Sequence, residues 1–314
     1  MRILVSDSIA KEGVELLKTA GEVNATELTP EELLAQIGEY DALVVRSRTK
    51  VTKEVIEKAA NLKVIGRAGI GVDNIDVKTA TAKGIVVVNA PRSSTTSVAE
   101  LAIGHMLSIA RSLPRADRGI REGKWEKKQL KGAELFGKTL GFIGSGRIGA
   151  EVAVRARAFG MKTLAYDPYL SPDAAKNAGV ELCNLDRILK ESDFVTIHAM
   201  LTDETRGMVG VAEFAKMKPT AYIVNCARGG IIDETALYNA LKDKKIAGAA
   251  LDVFAKEPLV DSPLVKLDNI VFTPHIGAST KEGQERAGMQ VAEQVIKAIT
   301  KTKPDSMVNP EAWK

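Results

Sequence analysis

The chain has 314 residues, of which 45% are hydrophobic, and this size favours two domains that each bury a core of their own. Its 44 basic and 40 acidic residues are interleaved and leave a formal net charge of only +4, which does not indicate binding to nucleic acid. Two cysteines are too few for a disulfide framework or a zinc cluster, and neither a signal peptide nor a run of about 18 apolar residues is visible. We therefore expect a cytoplasmic protein with no metal site and no membrane partner.

The first third of the chain alternates short apolar runs with amphipathic stretches, which is typical of βαβ units around a parallel sheet. The pattern predicts strands near residues 3–5, 23–25, 43–45, 64–65 and 86–88, and helices near 9–20, 30–38, 52–60 and 76–83. A polar, proline-marked segment at 89–96 ends this series and suits a crossing between domains. A long helical stretch follows it, from about Val98 to Ile120.

A second alternating series runs from Lys138 to Ile276. It predicts strands near residues 139–143, 162–166, 193–197, 220–225, 246–252 and 269–272, which together form a six-stranded sheet. A last amphipathic helix near 280–300 follows this sheet and is expected to return to the first domain. The predicted fold class is α/β with two doubly wound parallel-sheet domains. The first comprises residues 1–94 and 281–314, and the second comprises residues 95–280.

A G-x-G-x-x-G motif, formed by Gly144, Gly146 and Gly149, lies between a predicted strand and a predicted helix. The first glycine permits a tight turn, the second lets backbone amides approach a pyrophosphate, and the third lets the helix pack closely on the sheet. The amides at the start of this helix, around Arg147 and Ile148, would bind phosphate charge. Arg147 either adds positive charge there or is a solvated arginine of the first helical turn.

Asp167 ends the next predicted strand, 18 residues beyond Gly149. A carboxylate at this place can accept hydrogen bonds from both hydroxyls of an adenosine ribose and would repel a 2′-phosphate. We therefore expect NAD as the cofactor instead of NADP. The alternative is a glycine-rich turn that binds nothing, with Asp167 as a turn residue before Pro168.

Arg228, Glu257 and His275 each follow a predicted strand of the second sheet. The carboxyl ends of parallel strands meet at one edge, where open α/β sheets bind ligands. His275 suits a proton carrier, and Glu257 would orient its ring and favour the protonated form. Arg228 would bind a substrate carboxylate and carbonyl. The set indicates the interconversion of a 2-oxo acid and its alcohol, although a turn arginine, a solvated carboxylate and a core histidine are the ordinary alternatives.

The other two histidines are weaker candidates for proton transfer. His105 lies within an apolar helical stretch, so packing in a core or an interface is the better interpretation. His198 follows a predicted strand at the carboxyl edge, where it is a candidate contact of the cofactor.

The chain resembles the D-isomer-specific 2-hydroxyacid dehydrogenases over essentially its whole length. The resemblance rests on the segments 44–49, 66–76 and 97–101, on the glycine motif and on the three strand-end segments. It implies a flavodoxin-like substrate domain and a Rossmann NAD-binding domain with an active-site cleft between them. It also implies a homodimer, with contacts from the helical stretch after Ser97 and the region around Trp125. Met200 departs from the family, which often has proline at this position.

The resemblance assigns further contacts. The substrate carboxylate would meet backbone amides of the glycine-rich loop formed by Ala68, Gly69, Ile70 and Gly71. The nicotinamide carboxamide would be held near Asp252, with backbone help around Cys226 and Gly277. A structural turn role for Asp252 is the alternative.

Within this family the chain is most similar to the members that act on 3-phospho-D-glycerate. Arg46 and Arg48, with Ser47 between them, follow a first-domain strand and are candidates to bind the phosphate, as is Lys127 by family analogy. Solvated surface charge is the alternative for all three cations. We expect NAD-linked oxidation of 3-phospho-D-glycerate to 3-phosphooxypyruvate, with reduction of glyoxylate or hydroxypyruvate as the alternative activity.

An alternative of another class is an NAD-sensing binding protein that resembles a transcriptional corepressor, because fold does not dictate function. The chain stops soon after the last predicted helix. We therefore expect no carboxyl-terminal regulatory domain.

Overall fold

The computed structural model describes residues 1–313 and divides into two compact units. The first unit contains Met1–Ser94 and the residues from Ala278 onward, and the second contains Thr95–Gly277. The chain leaves the second unit three residues earlier than the sequence suggests, after Gly277 instead of residue 280.

The first unit is built on five parallel strands in the order β2-β1-β3-β4-β5. The strands are β1 (Arg2–Val5), β2 (Glu22–Ala25), β3 (Ala42–Val45), β4 (Val64–Arg67) and β5 (Val86–Asn89). The helices between them are α1 (Lys11–Lys18), α2 (Pro30–Gln36), α3 (Lys53–Lys58) and α4 (Val77–Ala82). This is the flavodoxin-like order, in which the direction of winding reverses between β1 and β3. The residues that follow these two strands therefore flank the natural ligand-binding edge of the unit.

The second unit contains seven parallel strands in the order β12-β11-β10-β9-β6-β7-β8. They are β6 (Thr139–Ile143), β7 (Lys162–Tyr166), β8 (Glu181–Leu182), β9 (Phe194–Ile197), β10 (Tyr222–Asn225), β11 (Gly248–Leu251) and β12 (Ile270–Phe272). The expectation of six strands was wrong, because β8 is only two residues long and has no apolar run of its own. Six of the strands follow the Rossmann order, and the winding reverses between β6 and β9.

The helices of the second unit cover both faces of this sheet. They are α5 (Thr95–Ala110), α6 (Leu113–Arg121), α7 (Arg147–Ala158), α8 (Pro172–Ala178), α9 (Leu185–Glu191), α10 (Val211–Phe214) and α11 (Glu234–Lys242). The helical stretch predicted from Val98 to Ile120 is interrupted, because Ser112 adopts a left-handed conformation with φ of 50°. Pro114, which lacks a backbone N–H, lies in the first turn of α6, where that donor is not needed.

The last helix, α12 (Lys281–Ile299), packs on the first sheet, as the sequence suggests. Glycines allow this close approach. A Cβ atom on Gly13 of α1 would lie 2.7 Å from the backbone of Gly288, and one on Gly66 of β4 would lie 2.5 Å from the side chain of Val295. The helix therefore belongs to the core of the first unit.

Buried strands explain why the apolar runs of the sequence are nearly continuous. All four residues of β3, of β9 and of β11 are buried, as expected for parallel sheets covered on both faces. The predicted fold class, two α/β domains with parallel sheets, is confirmed. Among residues 1–313, no helix is both long and apolar enough to cross a membrane.

Candidate active site

Three neighbouring strands of the second unit bring polar residues to one edge of the sheet. Arg228 follows β10, Glu257 follows β11 and His275 follows β12, and these strands are hydrogen-bonded to one another in this order. Because the strands are parallel, all three residues leave the sheet at its carboxyl edge.

His275 and Glu257 form a direct pair. The Nδ1 atom of His275 lies 2.8 Å from Oε2 of Glu257, and the other carboxylate oxygen accepts the N–H of Phe254 at 3.1 Å. An ionised carboxylate only accepts hydrogen bonds, so Nδ1 carries a hydrogen. The Nε2 atom of His275 is then the nitrogen available for proton exchange. Both side chains are partly exposed, at 49% and 38%, so the pair is accessible to a small molecule.

The loop that carries Arg228 is held by the side chain of Asn225. The Asn225 side chain donates to the carbonyl of Arg228 at 2.9 Å and accepts the N–H of Ala227 at 3.0 Å. A Cβ atom on Gly229 would lie 1.8 Å from the carbonyl oxygen of Phe254, a contact that only glycine permits. The loops after β10 and β11 therefore touch, which holds the Arg228 segment against the segment that leads to Glu257.

A cavity of about 580 Å³ adjoins the His275 and Glu257 pair. Its other lining residues are Phe254, Pro258, Leu259, Phe272, Thr273 and Pro274. All of these residues are described by the structure, and none of them is a lysine or an arginine. The cavity presents mainly apolar side chains beside the pair, and it offers no cation for an anionic group.

The glycine motif forms an open cradle. Gly144 has a φ of 80°, and a Cβ atom there would lie 2.7 Å from the backbone nitrogen of Ala199. A Cβ atom on Gly149 would lie 3.2 Å from the carbonyl oxygen of Gly144, whereas one on Gly146 would meet no atom within 4 Å. The space beside Gly146, at the start of α7, is where a pyrophosphate can approach the backbone.

Two polar atoms support this cradle as the place for a dinucleotide. Oγ of Ser145 and Nδ1 of His198 are buried and have no hydrogen-bond partner among residues 1–313. The two residues follow β6 and β9, the strands between which the winding of the sheet reverses. Phosphate and ribose oxygens of NAD would supply the missing partners, so the residues present fit the cofactor.

Asp167 accepts two backbone hydrogen bonds in this structure, from Ser145 at 2.8 Å and from Tyr169 at 2.9 Å. The turn role that the sequence left as an alternative is therefore real. Each oxygen retains a second lone pair, so the carboxylate can still accept ribose hydroxyls. Arg147 is exposed on the first turn of α7, and Ile148 is half-buried against the core.

Burial suppresses proton transfer by two other candidates. Burial raises the pKa of the Cys226 thiol, and the nearby Asp252 carboxylate adds to this effect. Burial lowers the pKa of His198 to about 4, and its Nε2 lies 2.9 Å from Oγ1 of Thr196. Neither group can exchange protons readily near neutral pH.

In the first unit, Arg46 and Arg48 follow β3 but have different surroundings. The guanidinium of Arg48 donates to the carbonyls of Ser6 at 2.5 Å and Leu28 at 3.2 Å, and its Nε lies 3.1 Å from the buried carboxylate of Asp7. Arg46 is half-buried and donates to a single carbonyl, that of Ser8, at 3.3 Å. Arg48 is therefore tied to its own domain, whereas Arg46 is the better candidate for an external anion.

The remaining expected substrate contacts also follow strands of the first unit or lie in a loop. Ala68, Gly69, Ile70 and Gly71 follow β4, and Gly69 has a φ of 156° with its N–H bonded to the carbonyl of Arg67. Ser47 is exposed after β3, and Lys127 is exposed in the segment after α6, beside Trp125.

Four residues that the sequence did not propose as site residues lie in or contact the loops and strand ends described above. Ser145 lies inside the glycine motif, and Arg67 packs its guanidinium against Gly69. His105 and Thr273 are hydrogen-bonded to each other at 2.9 Å, and Thr273 donates to Asp252. A serine within G-x-G and an arginine at a strand end are visible in the sequence, but contacts between distant segments are not.

Comparison with known proteins identifies the family. The profile of the family described as D-isomer specific 2-hydroxyacid dehydrogenase, NAD binding domain, matches residues 103–277. The chain is 54% identical over 311 residues to the D-3-phosphoglycerate dehydrogenase of Methanocaldococcus jannaschii, covering 98% of this chain and 59% of that protein. It is 52% identical over 303 residues to the hydroxypyruvate reductase of Thermotoga maritima, covering 95% and 98%.

A solved structure agrees with this assignment. The D-lactate dehydrogenase of Aquifex aeolicus, complexed with NAD and lactic acid, has a TM-score of 0.83 and 31% identity, covering 98% of this chain and 99% of that one. The chain belongs to the D-isomer specific 2-hydroxyacid dehydrogenase family, and its cofactor is NAD.

Proposed function

We propose that this protein is an NAD-dependent dehydrogenase that oxidises 3-phospho-D-glycerate to 3-phosphooxypyruvate, a step that supplies serine biosynthesis. The observation that carries the proposal is the pair of His275 and Glu257 at the strand edge that also holds Arg228. The similarity to the Methanocaldococcus jannaschii enzyme supports the substrate, although the chain spans only 59% of the length of that relative.

The proton moves through His275. Oxidation removes a hydride from the carbon of the substrate and a proton from its hydroxyl group. Bound NAD would supply the hydride acceptor. Because Glu257 holds the hydrogen of Nδ1, the Nε2 atom of His275 accepts the hydroxyl proton, and the carboxylate stabilises the resulting imidazolium. Reduction uses the same groups in the opposite direction.

Cationic and amide groups bind the acid. Arg228 binds the carboxylate and carbonyl with paired donors, and backbone amides of residues 68–71 contribute further hydrogen bonds. Among the arginines after β3, we assign the phosphate to Arg46, because the contacts of Arg48 with Asp7 and with backbone carbonyls already engage its guanidinium. Ser47 and Lys127 are further candidate contacts, and Asp252, Cys226 and Gly277 are candidate contacts of the nicotinamide.

Reduction of hydroxypyruvate is the second candidate activity. The Thermotoga maritima relative bears that name, is 52% identical and is covered by this chain over 98% of its length. The cavity beside His275 contains no cation. This composition suits a substrate whose far end is uncharged. It is equally compatible with a phosphate that is bound outside the cavity.

A turnover panel tests the proposal. Initial rates are measured with 3-phospho-D-glycerate, D-glycerate and glycolate, each with NAD and with NADP. We expect a kcat/KM for the phosphorylated acid that exceeds the others by at least about tenfold, with NAD preferred. Equal use of the three acids would reject phosphoglycerate as the substrate, and NAD binding without any turnover would favour the binding-protein alternative.

Two arginine variants form a matched pair within the same panel. Arg46→Gln is expected to raise the KM for the phosphorylated acid about tenfold while the rates with glycerate stay similar. Arg48→Gln is expected to lower stability by about 1–2 kcal/mol, because Asp7 loses its charged partner. His275→Gln serves as the inactive control, with kcat reduced by about 10²–10⁴-fold.

We also propose a cytoplasmic homodimer. The apolar side chains of Leu113, Ile120 and Trp125 are exposed on α6 and the segment after it, which supports association of two copies through this surface. Cys183 and Cys226 are both free thiols, which suits a reducing compartment.

A further inference from the structure

A chain of hydrogen bonds runs from the middle of α5 to the loop that carries His275. His105 is 2% exposed, and its Nε2 atom lies 2.9 Å from Oγ1 of Thr273. That hydroxyl lies 2.5 Å from Oδ1 of Asp252, which is 1% exposed. The carboxylate also accepts the backbone N–H groups of the two residues after His275, each at 2.8 Å.

The hydrogens that each group carries determine which atom donates in each of these hydrogen bonds. A threonine hydroxyl donates one hydrogen, and an ionised carboxylate only accepts. Thr273 therefore donates to Asp252, and its oxygen must accept a hydrogen from Nε2 of His105. Burial lowers the pKa of His105, so near neutral pH the ring carries a single N–H, and that hydrogen lies on Nε2. The other tautomer would place lone pairs of nitrogen and oxygen against each other.

The anchored loop has an unusual backbone at its functional residue. His275 has a φ of 54°, in the left-handed region that residues other than glycine seldom occupy. Its N–H donates to the carbonyl of Thr273 at 3.0 Å, and Asp252 holds the two amides that follow it. The surroundings thus determine the conformation of His275 from both sides.

We propose that His105 is a positioning residue that acts through Thr273 on Asp252 and thereby sets the place of the His275 ring. Three protein donors engage the Asp252 carboxylate, so its part in holding this loop goes beyond contact with the nicotinamide. Without the Nε2 hydrogen of His105, the Thr273 hydroxyl can rotate away from Asp252. The loop then loses one of its fixed partners, and the imidazole is less well placed for proton transfer.

The first test measures the tautomer and needs no substrate. The protein has three histidines, so long-range 1H–15N spectra of protein labelled with 15N in histidine contain three rings. The signals absent from His105→Gln identify the ring of His105. We expect hydrogen on Nε2 near neutral pH. Hydrogen on Nδ1 would overturn the proposal.

The second test compares two substitutions of His105 by steady-state kinetics. His105→Met fills a similar volume without a donor, whereas His105→Gln places an amide N–H close to the position of Nε2. We expect kcat to fall about tenfold in the methionine variant with little change in KM, and to recover most of this loss in the glutamine variant. An unchanged kcat in the methionine variant would overturn the proposal. So would a glutamine variant as slow as the methionine variant.

A second pair of variants guards against misfolding at His105. Thr273→Ser retains the hydroxyl and is expected to keep kcat within about threefold, whereas Thr273→Val is expected to lose at least about tenfold. Equal kcat values in the two variants would contradict the proposal that His105 acts through the Thr273 hydroxyl. These kinetic tests rest on the proposed function. If the parent protein turns over no 2-hydroxy acid, that function fails, and the tautomer measurement still decides the arrangement around His105.

Discussion

Each of the three histidines has a different environment, and these environments differ in how well they suit proton transfer. The His275 side chain is half exposed and paired with Glu257. The ring of His198 is largely enclosed, with its Nδ1 buried, and His105 is 2% exposed within α5. Only the first of these rings combines access to a ligand with a carboxylate partner.

Stability should depend on pH through His198. Its pKa is lowered from 6.5 to about 4 on folding. Between pH 6.5 and pH 4, this ring is therefore protonated in the unfolded chain but neutral in the folded protein. The folded state is fully stabilised above pH 6.5 and loses stability as the pH falls towards 4. By pH 5 the loss reaches about 1–2 kcal/mol from this group.

The measurement is urea unfolding of the parent and of His198→Gln at pH 7.5 and pH 5. The variant should lose less stability between the two values, because glutamine does not titrate. This prediction would be contradicted if the free energy of unfolding fell by the same amount in the parent and in the His198 variant.

Residue types and their positions after strands were enough to nominate the candidate catalytic groups. The contact of His275 with Glu257 required no information beyond their places after adjacent parallel strands. His105 and Thr273 are 168 positions apart, and no local pattern links them. The ion pair of Arg48 with Asp7 could not be predicted for the same reason, since it joins residues that follow two different strands.

At the scale of elements, the glycine motif joins a strand to a helix and leaves an open space. We predict that Gly146→Ala folds normally, because a Cβ atom there meets no atom within 4 Å, yet binds NAD at least about tenfold more weakly. Titration calorimetry with NAD measures the affinity, and thermal unfolding measures the stability.

Gly104→Ala is the control for this substitution. Gly104 lies within α5, and a Cβ atom added there would likewise meet no atom within 4 Å. Alanine should therefore stabilise the helix by about 0.5–1 kcal/mol without changing NAD affinity. Equal NAD affinity in the Gly146 variant and the parent would argue against the cradle as the pyrophosphate site.

Strong alternation between strand and helix made most elements predictable, and the exceptions have local causes. The short strand β8 pairs with β7 through two residues and carries no apolar repeat. The break between α5 and α6 depends on the left-handed backbone of Ser112, and serine is not a residue that indicates such a conformation.

At the scale of the whole molecule, we predict a dimer with about twice the 33.7 kDa mass of the chain. Ile120 and Trp125 are 58% and 80% exposed, an unfavourable state for large apolar side chains on a contiguous surface. Sedimentation of the double variant Ile120→Glu with Trp125→Glu should give the mass of one chain. Val260→Glu, at another exposed apolar residue, should remain dimeric. A monomeric parent would reject the proposed association.

The protein has two tryptophans, one in each unit. Trp125 is 80% exposed in the second unit, whereas Trp313 packs against the core of the first. Their indole emission therefore reports on two different environments from a single excitation. A red-shifted component belongs to Trp125 and should move to shorter wavelength when another copy covers it, while a change in the component from Trp313 marks the melting of the first unit. Fluorescence can thus follow assembly and unfolding in one sample without an added dye.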